Sequence, residues 1–321
     1  MIDRETELFL EPFRNAEEGL EYQPLAEARA GYRELFSAAA VAAPPVQRSD
    51  LPCPLSHRSV PCRLYQPLST ARAPRTLLVF MHGGGGVLGD VESYDALMAW
   101  LCHHGDQVVL FPEYCLAPEH PFPAGIRECH GVVNWAASMA DSWGATPERL
   151  TLAGDSTGGS ICNACALLAQ GDNAASVAAQ CLLYPQLDLR REHTYPSRAE
   201  FADGRYFLGE SGIAWSREHY LTTDADAFNA LATALRAPNL ASMVPTLILT
   251  AELDPLRDEG AAYGAALAKA GVPGLYHCAP GAIHGFVSFA GMLPTGKQAL
   301  KWLTTHLESL LAGHTDWSSL P

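Results

Sequence analysis

Leu150-Thr-Leu-Ala-Gly154-Asp155-Ser156-Thr157-Gly158-Gly159-Ser160 decides how this chain is read. A run with the character of a buried strand meets a run that suits a helix. Between them stands a serine inside Gly-x-Ser-x-Gly. A sharp strand-to-helix turn lifts a serine hydroxyl clear of a sheet, where a small molecule reaches it. Gly154 and Gly158 remove side chains that would collide across so tight a turn. The helix expected over residues 158–170 points its positive end at the place where negative charge would develop. On its own the pattern fits an ordinary glycine turn equally well. Three further segments separate the two readings.

The first is Thr76-Leu-Leu-Val-Phe-Met81-His82-Gly83-Gly84-Gly85-Gly86-Val87-Leu88-Gly89. An apolar run ends in four consecutive glycines, which let backbone N–H groups converge on one point. An acyl-transfer site needs such donors for its oxyanion, and losing one typically costs about 100- to 1,000-fold in rate. The N–H groups of Gly83, Gly84 and Gly85, with that of Thr157, are the candidates, and which of the glycines donate is left open. A phosphate loop needs Lys followed by Ser or Thr after its last glycine, and a dinucleotide loop needs spaced glycines. The first pattern is absent, and the second is met only as Gly84-x-Gly86-x-x-Gly89 within an unbroken glycine run.

The second segment, Pro245-Thr-Leu-Ile-Leu-Thr-Ala251-Glu252-Leu253-Asp254-Pro255-Leu256-Arg257-Asp258, places carboxylates at a strand end. Asp254 stands just past the strand and before a proline that stiffens the turn. Glu252 and Asp258 compete with it, but Asp258 falls in the first turn of the next helix, where an acid suits the helix dipole. The third, Leu275-Tyr-His-Cys-Ala-Pro280-Gly281-Ala-Ile-His284-Gly285-Phe286, leads from a strand through an expected Pro-Gly turn to a histidine. His277 lies within the strand pattern and is expected to be structural. The remaining histidines, His193 among them, have no comparable strand-end setting.

Ser156, Asp254 and His284 occur in the chain order of α/β-hydrolases, each after an expected strand. Open α/β sheets gather their sites beyond the carboxyl ends of the strands. At this point the chain resembles the bacterial branch of the hormone-sensitive lipase family of α/β-hydrolase esterases. His82-Gly83-Gly84-Gly85, Gly154-Asp155-Ser156-Thr157-Gly158-Gly159, Asp254-Pro255-Leu256 and His284-Gly285-Phe286 carry the resemblance, together with Glu113-Tyr-Cys-Leu-Ala-Pro-Glu-His-Pro-Phe-Pro-Ala124. It implies a mostly parallel sheet flanked by helices, with a helical cap. It also implies hydrolysis of short- to medium-chain carboxylic esters without metal or organic cofactor. Ser156 is then the nucleophile, His284 its base and Asp254 the acid behind the histidine. The rival readings are amide or lactone hydrolysis by the same triad, and a ligand-binding homologue without catalysis.

Two positions depart from the family. Gly86 stands where an aromatic residue is usual, and Thr157 where alanine is usual. Both are expected to reshape the acyl pocket, with Gly86 leaving volume open beside the scissile carbonyl. The pocket is expected among Gly86, Val87, Asp155, Tyr184, Phe207 and Phe286.

At 321 residues, with a hydrophobic fraction of 48%, the chain suits one large α/β domain with an accessory layer. Residues 1–45 are expected to form an N-terminal cap segment, with a helix over residues 17–43. Residues 46–187 and 224–321 are expected to form the catalytic core, and 188–223 a cap insertion. Opening strands are expected over 51–57 and 59–66, and buried ones over 76–81, 107–112, 149–153, 179–184, 246–251 and 274–279. A net charge of −14 argues against nucleic acid and anionic membranes as partners. No apolar run is long enough for a membrane span, and no basic leader with an apolar core is visible, so a cytoplasmic location is expected. The expected partner is a small-molecule ester, and a homodimer is left open. The nine cysteines include a Cys162-x-x-Cys165 pair, expected to be small buried thiols and not metal ligands. Cys53 and Cys62 are expected to be close across a hairpin.

Overall fold

Strands that are apolar at every position need cover on both faces, which only a sheet between two helical layers supplies. β3 (Leu77–Met81), β4 (Val108–Pro112), β5 (Leu150–Asp155) and β6 (Ala179–Leu183) are buried at every residue. They form the centre of an eight-stranded sheet in the computed structural model, which describes residues 2–14, 19–56, 58–70, 74–171, 175–192 and 195–321. β1 (Gln47–Pro54), β2 (Ser59–Gln66), β7 (Thr246–Leu253) and β8 (Gly274–Ile283) complete the order β1-β2-β4-β3-β5-β6-β7-β8. β3 to β8 run parallel, and β2 is antiparallel to both of its neighbours. α3 (Val91–Gly105) packs against α9 (Pro294–Leu311) over the sheet, and α4 (Ala124–Met139) against α5 (Thr157–Leu168). α8 (Arg257–Lys269) follows β7 and packs on it.

The remaining helices lie in the segments expected as cap. α1 (Arg4–Leu10) and α2 (Leu25–Ala39) precede the sheet, and α6 (Pro196–Phe201) and α7 (Glu210–Tyr220) lie between β6 and β7. The long N-terminal helix is shorter than expected. Pro24 starts α2, a 3-10 turn at Leu20–Tyr22 stands before it, and Ala40 is already extended ahead of Pro44. Glu17, where that helix was expected to begin, and His57, the expected end of the first strand, lie outside the described residues, as does His193.

Three strands overrun their expected ends, and each leads directly to a site residue: β5 to Ser156, β7 to Asp254 and β8 to His284. β5 continues through Gly154 and Asp155 because these pair with Leu182 and Leu183 of β6. β8 continues through Pro280-Gly281, which is no turn: the pairing shifts register between Ala251 and Leu253, and Ile283 still pairs with Leu253. The Glu252 carboxylate fills that irregularity, accepting the Gly281 N–H at 2.6 Å. Cys53 pairs with Val60 and Cys62 with Leu51, which places the two buried thiols diagonally across the hairpin, and both are free. The C-terminal tail adds a bridge from Asp316 to Leu275 and donates the Trp317 Nε1–H to Val272 O at 3.0 Å.

Candidate active site

Ser156 stands between the last residue of β5 and the first of α5, with φ 53° and ψ −123°. That left-handed backbone is costly for a residue with a side chain and persists only where the surroundings hold it. Here the Ser156 N–H donates to Leu183 O at 2.9 Å, and its carbonyl accepts from Gly159 N at 3.0 Å and Gln186 N at 3.1 Å. The turn is also too tight for a side chain at Gly158, where a β-carbon would meet Met81 O at 2.1 Å.

The three strand-end residues come together. Ser156 Oγ lies 3.0 Å from His284 Nε2, and His284 Nδ1 lies 2.8 Å from Asp254 Oδ2. Asp254 is fully buried, and its other oxygen accepts the Leu256 N–H at 2.8 Å. The Tyr184 ring stands edge-on to the imidazole, with centroids 5.0 Å apart. A neutral His284 therefore donates from Nδ1 to the carboxylate and accepts the serine proton at Nε2. The competing acids are engaged elsewhere. Asp258 accepts the Ser197 N–H at 2.7 Å and pairs with Arg257, while Glu252 holds Gly281. His277 stacks on Trp302, 5.0 Å between centroids.

The glycine loop contradicts one expectation. Gly83 donates its N–H to Asp155 Oδ1 at 2.8 Å, so it is not free for an oxyanion. Among the described residues no acceptor takes the N–H of Gly84, Gly85 or Thr157, and all three line the cavity that holds Ser156. The Thr157 hydroxyl donates to Gln186 Oε1 at 2.9 Å. His82, at the start of the loop, is buried against aromatic rings, and burial pushes it down to about 4. Its neutral ring donates from Nδ1 to Gly83 O at 2.7 Å.

The cavity measures about 510 Å³. Asp155, Tyr184 and Phe207 of the expected pocket line it. Gly86, Val87 and Phe286 do not. Gly86 faces the ring of Tyr220, Val87 is fully buried with its carbonyl bound by Arg29, and Phe286 packs behind Tyr184 at 5.5 Å. In their place Phe13, Tyr32 and Phe36 from the N-terminal segment and Trp215 from α7 line the cavity. Sequence reasoning missed these as wall residues. The signal present was the apolar spacing of Tyr32, Leu35 and Phe36 on one face of α2. Burial pushes Asp155 up to about 6, opposed by the donors Tyr94 and Gly83.

Cys162 and Cys165 are buried on α5, the former 3.4 Å from Met81 Sδ. Among the described residues no group of three or more His, Cys, Asp or Glu side chains could hold a metal ion. Nor is any described helix long and apolar enough to cross a membrane.

A family model described as "alpha/beta hydrolase fold" matches residues 78–288. Esterase LipI of Mycobacterium tuberculosis is 35% identical over 238 residues, 74% of either chain. An arylesterase of Saccharolobus solfataricus is 30% identical over 89% of this chain and 92% of its own. Among solved structures, an ester-hydrolase from the metagenome of Lake Arreo superposes with a TM-score of 0.91 at 30% identity, over 97% of this chain and 100% of the other. The hyperthermophilic esterase of Pyrobaculum calidifontis does so with a TM-score of 0.88 at 29% identity, over 96% and 98%. With the family model spanning the glycine loop, the serine turn and both strand ends that bring Asp254 and His284 to Ser156, the chain belongs to the α/β-hydrolase family.

Proposed function

We propose that this chain is a serine carboxylesterase of the hormone-sensitive lipase branch. The reading rests on the hydrogen-bonded series Ser156, His284, Asp254 at the carboxyl edge of the sheet. Relatives named esterases and carboxylic ester hydrolases support it. Ser156 Oγ attacks the ester carbonyl while His284 Nε2 takes its proton, and Asp254 steadies the imidazolium that forms. The N–H groups of Gly84, Gly85 and Thr157 hold the oxyanion. His284 then protonates the leaving alcohol, and water attacks the acyl-enzyme by the same route reversed. Residues 1–45 and 188–223 act together as the cap over the site. The nine cysteines are all free, which supports a reducing, cytoplasmic setting.

Parallel assays on an aryl acetate, an anilide and a lactone test the reaction class. The ester should be turned over at least about 100-fold faster than the anilide, since an alcohol leaves an acyl carbon more readily than an aniline does. A comparable rate on the anilide, or a faster one on the lactone, would move the chain to another acyl donor.

A further inference from the structure

Helix α2 grips the glycine loop through two side chains one turn apart. Arg29 donates to Val87 O and Ala117 O, each at 3.0 Å, and Glu119 holds its guanidinium at 2.7 Å. Ala117 in turn donates its N–H to Gly86 O at 2.8 Å. Tyr32 is buried, with its hydroxyl 2.8 Å from that of Tyr94 on α3. Tyr94 has one proton, and Asp155 Oδ2 lies 3.0 Å away. An ionised carboxylate only accepts, so the Tyr94 proton goes to Asp155 and the Tyr94 oxygen accepts from Tyr32. Gly83 N–H donates to the other oxygen of Asp155 and lies 3.2 Å from the Tyr94 oxygen. The order of donation runs from the cap helix inwards: Tyr32 to Tyr94, then Tyr94 to Asp155, which holds Gly83.

We propose that Tyr32 and Tyr94 are positioning residues for the oxyanion loop. Tyr32, carried by the N-terminal helix, donates to the Tyr94 oxygen and holds that hydroxyl against Asp155, and Asp155 fixes Gly83 so that Gly84 and Gly85 aim their N–H groups at the developing charge. The N-terminal segment thereby completes the catalytic loop as well as covering it. The inference rests on the assignment of Ser156 as nucleophile.

A pH signature accompanies the relay. Among the described residues the ionisable groups facing Asp155 are Tyr32 from α2, Tyr94 from α3, Tyr114 after β4, Cys162 on α5, Tyr184 after β6 and His284 after β8. Burial raises Asp155, and the Tyr94 hydroxyl lowers it. Removing that donor favours the protonated carboxyl, so the acid limb of the rate profile moves to higher pH.

Tyr32→Phe keeps the ring stacked on Phe36, with centroids 3.9 Å apart, and removes only the hydroxyl. It should lower kcat about 3- to 10-fold, and Tyr94→Phe, which loses a bond to a charged group, about 10- to 100-fold. KM should stay within about twofold for both, because the bonds act on the transition state. Affinity for a trifluoromethyl ketone, which forms a tetrahedral oxyanion on the serine, should fall by the same factor as kcat/KM. The acid limb should shift upward in Tyr94→Phe, which loses the donor to Asp155. A folded Tyr32→Phe protein with wild-type kcat and unchanged ketone affinity would overturn the proposal, as would a loss confined to KM, which would make Tyr32 a cavity wall only. If Tyr94→Phe does not fold, Tyr32→Phe decides alone. A failure of the underlying assignment looks different, because Ser156→Ala would then remain active.

Discussion

The ring of Tyr220 fills the space into which a side chain at Gly86 would grow. A β-carbon built on Gly86 would stand 2.6 Å from Tyr220 Cδ2, and Gly86 has φ 73°. Glycine at this position therefore admits Tyr220 at the end of α7 and does not line the cavity. Gly86→Ala should cost about 1–3 kcal/mol of stability through strain and overpacking. The ratio of kcat/KM for aryl acetate and aryl benzoate should stay within about twofold of wild type. Trp215, which lines the cavity, should set that ratio instead. Trp215→Ala should shift it by about tenfold or more, since a change of fit is worth about 1–3 kcal/mol. Equal shifts in the two variants would return Gly86 to the pocket wall.

The acid behind His284 is separable from its neighbours by turnover. An Asp-to-Asn change in the equivalent role costs serine proteases about 10,000-fold in kcat. Asp254→Asn should approach that loss. Asp258→Asn and Glu252→Gln disturb the Ser197 and Gly281 N–H contacts and should cost less than about tenfold, mainly in stability. A larger loss in Asp258→Asn than in Asp254→Asn, with the fold intact, would place the acid one helical turn away.

Glu128 gives the fold a pH dependence that is independent of catalysis. It is buried on α4, where it accepts both Arg58 and the Cys115 N–H. Burial raises its carboxyl, but the Arg58 guanidinium and the Cys115 N–H outweigh this and hold it below the usual glutamate range. A depressed folded value means that the contribution is present above the unfolded value of about 4.3 and is lost as pH falls through the lower folded one. Glu128→Gln should cost about 1–3 kcal/mol in urea unfolding at neutral pH. The gap from wild type should narrow as the pH is lowered past that range. A gap independent of pH would show that the glutamate acts by shape alone.

The C-terminal tail is part of the sheet's support. A β-carbon on Gly274 would meet the Trp317 ring at 2.0 Å, so the indole lies directly on the start of β8. Trp317→Ala removes that packing and the bond to Val272 O. A loss of about 2–4 kcal/mol is expected, somewhat below the roughly 3–5 kcal/mol of a Trp→Ala change in a core because the indole is partly exposed. An unchanged melting temperature would mean that the tail is not seated there in solution.

Strand positions and the three strand-end residues were legible because each sits where an apolar run stops, and that signal is local. The ends of β5, β7 and β8 were not. Asp155 and Ile283 are in strands because Leu183 and Leu253 pair with them, and pairing across the sheet leaves no mark in the run itself. The same reason hid the role of Gly83. Its backbone suits an oxyanion donor, and only the fold brings the Asp155 carboxylate to its N–H. Gly86 misled because its partner, Tyr220, lies far along the chain. Tyr32 falls within the expected N-terminal helix, but the bond between its hydroxyl and that of Tyr94 exists only once that helix packs against α3.

The central claim is that Ser156 carries the acyl group. Ser156→Ala should keep the fold and lose activity by a factor on the order of a million, since removing the nucleophile of a triad disables the whole unit. The direct measurement is mass spectrometry of the intact protein after brief treatment with an aryl phosphonate. The wild type should gain one phosphonyl adduct, mapped to the peptide containing Ser156, in step with the loss of esterase activity, and Ser156→Ala should gain none. An adduct elsewhere that tracks inactivation, or a Ser156→Ala protein retaining a substantial share of wild-type turnover, would contradict the account.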